Sequence, residues 1–149
     1  MGKAERSHWL MIDEPEFPQL TEQNHQITSP PDAVYNCIAW SAGDTQRWWE
    51  PGTYWPVTTT PNDCGIGALK QAFRALGYEE CADDRLEPEF ERVALYGYGI
   101  YYTHAARQLP SGRWTSKLGL LEDIEHALDD LEGTAYGSVV EVMKRPVRA

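Results

Sequence analysis

The chain has 149 residues, 42% of them hydrophobic, with six tryptophans, eight tyrosines and a formal net charge of −10. That length suits one domain with a core of its own, and the acidic balance argues against a nucleic-acid backbone or an anionic membrane surface as a partner. No apolar run approaches the roughly 20 residues that a spanning helix needs.

The first residues, "MGKAERSHWLMIDEPEFPQL", lack the continuous apolar segment of a secretory signal. Arg6 also stands where a myristoylation signal needs Ser or Thr. A cytoplasmic location is expected, although export by a dedicated machine would leave no such mark. In a reducing compartment Cys37, Cys64 and Cys81 are expected as free thiols. Residues 1–32 read as an extended N-terminal arm, polar and proline-rich from 13 onward and closed by a Ser29-Pro30-Pro31 turn. Residues 33–149 read as the folded domain.

Along that domain, about 36–42 predicts a short helix that starts behind Asn36 and stops at Gly43. "DTQRWWEPGTYWPVTTTP" is aromatic and broken by prolines, so it predicts loop. A second helix is expected from a cap at Asn62 and Asp63, with Ile66, Leu69, Phe73 and Leu76 on one face and Gly77 as its stop. "ECADDRLEPEF" reads as an acidic linker. Three antiparallel strands follow at about 91–97, 100–108 and 113–118, joined by turns at Gly97-Tyr98-Gly99 and Pro110-Ser111-Gly112. Leu121, Ile124, Leu128 and Leu131 predict an amphipathic helix ending at Gly133, with Glu122 and Asp123 as its first-turn acids and His126 as a boundary residue. Tyr136, Val139, Val140 and Met143 also fit helical spacing, and the β-branched valines make a strand the alternative. The sum is an α+β fold: a cysteine-bearing helix packed on a small antiparallel sheet.

Two residues carry the candidate chemistry. Behind Asn36 as N-cap, Cys37 occupies the first helical position, where the helix dipole favours a thiolate and free backbone N–H groups can hold an oxyanion. Cysteine is also among the most buried residue types, so simple packing is the competing reading. His104, on the second predicted strand, is the candidate base. Ser116, twelve positions on and roughly symmetric about Pro110, is the candidate orienting residue if it shares a face with His104. Asn36, Trp40, Trp48 and Trp49 are candidate substrate-binding residues around the thiol. The cysteines and histidines lack metal-ligand spacing, so neither a metal nor a cofactor is expected.

"YNCIAWSAGDTQRWWEP" resembles the opening motif of an uncharacterised group of microbial proteins that begin Tyr-Asn-Cys-x-Ala-Trp. "FERVALYG", "THAARQLPSGRWTSKLG", "LEDIEH" and "AYGSVVEVMKRP" look like its later blocks in the same order, over about Ser29 to Pro146. More loosely, a cysteine at a helix start, a histidine on a strand and a polar residue on the next strand is similar to the NlpC-type and CHAP-type papain-like cysteine hydrolases. That resemblance implies a papain-like fold and attack on an amide or related acyl bond through an acyl-enzyme. Cys37 would then be the nucleophile, His104 the base and Ser116 the third member, and a peptide or other amide would be the substrate. Ser116 departs from the His, Asn, Asp or Gln usual there. A deamidase or acyltransferase would use the same residues. A non-catalytic interaction protein working through its aromatic face is the alternative from a different class.

Overall fold

The computed structural model describes residues 18, 25–60, 63–118, 122–133 and 135–147. Its centre is a seven-stranded, wholly antiparallel sheet: β1 (Gln26–Ser29), β2 (Glu79–Cys81), β3 (Phe90–Tyr98), β4 (Tyr101–Gln108), β5 (Trp114–Lys117), β6 (Asp123–His126) and β7 (Ser138–Pro146). The spatial order is β1-β6-β5-β4-β3-β7-β2. Among the described residues two helices accompany it, α1 (Cys37–Ser41) and α2 (Ile66–Ala75), with one 3-10 turn at Leu128–Leu131.

The helices form where capping chemistry allows. The Asn36 side chain accepts the Ala39 N–H at 3.1 Å, and Gly43, at φ +84°, closes the short α1. In α2, Ala68, Leu69, Ala72 and Phe73 are buried on one face, and Gly77 ends the run at φ +97°. Asp63 supports its start by accepting the Gly65 N–H at 2.9 Å, while Asn62 lies outside the described residues.

The sheet is packed on both faces, so the middle of β3 reads as an unbroken buried run instead of alternating with polar residues. On one face Val93, Leu95, Ala105 and Met143 pack with Cys37, Ile38, Leu69 and Phe73. On the other, Ala94, Tyr96, Ala106, Trp114 and Ile124 pack with Leu131 and Tyr136. Side-chain alternation along β3 and β4 assigns these clusters to opposite sides. Between them, two glycines let strands cross closely. An added Cβ at Gly97 would meet the Tyr101 carbonyl oxygen at 2.4 Å, and one at Gly137 would meet the Gly97 carbonyl oxygen at 2.3 Å.

This β-rich architecture overturns the expected papain-like α+β fold, because segments that read as linker or helix are strands. Glu79–Cys81, at the edge of the expected acidic linker, is β2 and pairs with β7. Gln26–Ser29, inside the expected arm, is β1 and pairs with β6. The expected helix around Leu121–Leu131 is β6 followed by the 3-10 turn, and Leu121 itself lies outside the described residues. Ile124, Leu128 and Leu131 do meet in one cluster. Their spacing is satisfied by a strand and a tight turn, and pairing of β6 on both edges decides between the two. Residues 138–146 take the strand alternative. Among the described residues no helix is long and apolar enough to cross a membrane.

Candidate functional site

Cys37 stands at the first position of α1, 9% exposed, in the cluster of Ala105 and Leu95. Burial pushes its thiol up to about 11; the backbone of Ala105, Ile38 and Cys37 and the charge of Lys117 oppose that rise without outweighing it. The sulfur therefore stays protonated at neutral pH, and a five-residue helix supplies little compensating dipole.

His104 points the other way. It is fully buried, its ring stacks on Tyr136 at 4.1 Å with an 8° interplanar angle, and Tyr96 meets it edge-on at 5.2 Å. Both tyrosines belong to the cluster on the far side of the sheet. The structure thus brings His104 and Ser116 together, at 2.9 Å, and leaves Cys37 on the opposite face. The β4–β5 register pairs Arg107 with Thr115, so Ser116 lies diagonally from His104 on the same face.

The Ser116 hydroxyl has a second partner that sequence reasoning placed on a helix surface: His126, fully buried on β6, with its Nε2 at 2.7 Å. The protons of this chain follow from its end. Ala127 O only accepts, so His126 Nδ1, at 2.7 Å, carries the proton and Nε2 is bare. Ser116 then donates to His126 and accepts from His104 Nε2–H. Among the described residues His104 Nδ1 is left as a buried acceptor with no partner. Desolvation holds both imidazoles neutral: it drives His104 well below its ordinary value and His126 down to about 4. The geometry is that of a closed internal network, with the serine hydroxyl inaccessible to substrate.

A second polar set anchors α1 on its own face. The Tyr35 hydroxyl donates to Asp123 Oδ2 at 3.1 Å, Lys117 Nζ donates to the Asp32 carbonyl at 2.6 Å and lies 5.2 Å from the Tyr35 ring, and Lys117 is registered opposite Asp123. Burial raises the Tyr35 phenol to about 12, raises the Asp123 carboxyl and lowers the Lys117 ammonium. Asp123 is thus a buried strand residue and not a first-turn acid. A strand reading of 123–126 is the signal that would have found Asp123 and His126 alike, since it sets Asp123 and Glu125 on one face and Ile124 and His126 on the other.

The expected substrate-binding residues serve the fold. Asn36 caps α1 and also ties it to the next loop, donating to Trp49 O at 2.8 Å and accepting from Trp49 N at 3.2 Å. Trp40 stacks on Tyr35 and donates to Thr115 Oγ1 at 3.0 Å. Trp49 is buried against Tyr54 and Trp55, while Trp48 is half-buried and donates to Glu50. Among the described residues the exposed aromatics lie elsewhere, at the tip of the β3–β4 hairpin: Tyr98 and Tyr101 are 49% and 58% exposed and Ile100 between them is 68% exposed. Among the described residues no group of three or more His, Cys, Asp or Glu side chains is placed to hold a metal ion.

No curated protein and no solved structure matches the chain. One family does match, over residues 26–144: the chain belongs to the family described as a domain of unknown function, DUF7689.

Proposed function

We propose that the protein is a non-catalytic interaction module that docks on another protein through the tip of the β3–β4 hairpin. The observation that carries this reading is a rigid apolar knob. Tyr98, Ile100 and Tyr101 are exposed around a two-residue turn, Gly99-Ile100, with Gly99 at φ +56°. The turn is pinned to the start of α2: Ile66 N donates to Ile100 O at 2.7 Å and Tyr102 N to Cys64 O at 2.9 Å. Tyr98 reaches Gly133 O at 3.0 Å from the other side. Aromatic side chains held in place lose little entropy on binding, which is what an interface anchor requires. An acidic chain of net charge −10 suits a partner whose apolar cleft is rimmed by Lys and Arg.

Hydrolysis at Cys37 is the weaker reading, since a thiol separated from His104 by the sheet and with a raised pKa is a poor nucleophile. Affinity capture with the wild type, Cys37→Ala and a Tyr98→Ser/Ile100→Asp/Tyr101→Ser variant tests the proposal. The same partner should be recovered by the first two and lost by the third. Retention by the tip variant, or loss with Cys37→Ala alone, contradicts it.

A further inference from the structure

At the end of the sheet opposite the hairpin tip, where β3 begins and β4 ends, lies an apolar cleft of about 470 Å³ lined by Leu86, Pro88, Phe90, Leu109, Pro110 and Val147. Leu86 and Val147 are 42% and 49% exposed, so part of that lining is apolar surface left to water. The two carboxylates on its wall are already matched. Glu87 accepts from Arg92 at 2.6 Å and from Lys144 at 3.2 Å, and Glu91 accepts from Arg145 at 2.6 Å. Arg85 adds an exposed guanidinium 3.7 Å from Glu87, and Lys144 Nζ stands 4.2 Å from the centre of the Phe90 ring. In these ion pairs four cations, Arg85, Arg92, Lys144 and Arg145, face three carboxylates, Asp83, Glu87 and Glu91, against a chain total of −10. The hairpin tip carries the opposite balance. Asp63 Oδ1 holds the Gly65 N–H beside the Ile100 carbonyl, and Glu132 precedes Gly133, whose carbonyl accepts the Tyr98 hydroxyl. Carboxylates thus flank the knob on two sides.

We propose that the partner of the hairpin tip is a second copy of this chain, with Tyr98, Ile100 and Tyr101 of one copy seated in the cleft of the next, an inference that rests on the docking reading of that tip. The tip suits an apolar cleft rimmed by Lys and Arg, and the cleft at the far end of the sheet is one. Its volume lies in the range of pockets that enclose a compact apolar group. Knob and cleft stand at the two ends of β3, Phe90 to Tyr98, about 27 Å apart at roughly 3.4 Å per residue. Neither can fill the other within one chain, so the contact joins two different surfaces head to tail and repeats from copy to copy. A three-residue knob buries less than the roughly 800 Å² per partner of a standard stable interface, so the association is weak and follows concentration.

Sedimentation equilibrium of the intact chain from micromolar to millimolar concentration tests the proposal. The mean mass of the wild type should climb with concentration past that of a dimer. Ile100→Asp blocks only the knob and Leu86→Asp only the cleft, both at exposed residues, and each variant alone should stay monomeric. An equimolar mixture of the two should form a dimer and nothing larger, through the one knob and the one cleft left intact. A wild type that stays monomeric or halts at a dimer, a single variant that assembles as the wild type does, or a mixture that stays monomeric would overturn the head-to-tail contact. A monomeric wild type that still captures a different protein through its hairpin tip would overturn it while leaving the docking reading intact.

Discussion

His126 gives the account its sharpest quantitative consequence. Unfolded, its imidazole takes up a proton near 6.5; folded, it does so only near 4, because burial removes the solvent that would stabilise the cation, with Arg113 and His25 adding repulsion. Between those values the unfolded chain binds more protons than the folded one, so stability falls as pH falls. At about 1.36 kcal/mol per pH unit, the full window is worth about 3 kcal/mol, most of it lost between pH 7 and 4.5. His104 adds a loss of the same sign. Asp123 and Asp130, whose carboxyls are raised by burial, return some stability at the acid end of the range, while Asp44, whose carboxyl is lowered, adds to the loss. Comparison with His126→Gln isolates the one group. Urea unfolding of both proteins at pH 7, 6, 5 and 4.5 should show the wild type's advantage constant above pH 7 and reduced by about 2–3 kcal/mol at pH 4.5. A difference that does not change with pH would refute a neutral, buried His126 and with it the direction of the hydrogen bonds through Ser116.

Nitrogen-15 spectra of the imidazoles should report the Nδ1–H tautomer for His126 and the Nε2–H tautomer for His104; the reverse pair would contradict the network. Gly97→Ala and Gly137→Ala should each destabilise by about 2 kcal/mol or more in thermal melts, since backbone oxygens occupy the Cβ position. Gly99→Ala, with open space around its Cβ and only its positive φ to resist, should cost about 1 kcal/mol. Cys37→Ala should fold and lower stability by about 1 kcal/mol through a small cavity in the α1-facing cluster, read as a modest fall in melting temperature. A thiol titration under denaturing, non-reducing conditions should count three groups per chain, all three cysteines being free.

The parts legible in the sequence were those governed by local chemistry. The Asn36 cap, the Gly43 stop, the Leu69–Phe73 face of α2 and the β3–β4–β5 meander follow from capping, helical period and turn residues. The parts that were not legible depend on pairing between distant segments. β6 is four residues long, and it is a strand because β1 and β5 close on its two edges. β1 comes from a proline-rich segment whose local signals say loop. The site suffered from the same gap. His104 and Ser116 do meet on one face, but the face that α1 covers depends on the path of the chain between Gly43 and β3. That path puts α1 against Ala105 and Leu95, so a cysteine and a histidine that read as a dyad are separated by the sheet. Asp123 and His126 are misplaced by a helix reading of 121–131, which scatters side chains that a strand sorts into two faces.

The most direct test of the non-catalytic reading is the reactivity of Cys37 itself. Native protein treated with iodoacetamide between pH 6 and 8 and mapped by peptide mass spectrometry should carry label on the exposed Cys64 and the half-exposed Cys81, and essentially none on Cys37. His104→Ala should not change that pattern. Rapid labelling of Cys37 well below pH 8.5, the ordinary range of a free thiol, abolished by His104→Ala, would contradict the account and restore a cysteine–histidine pair.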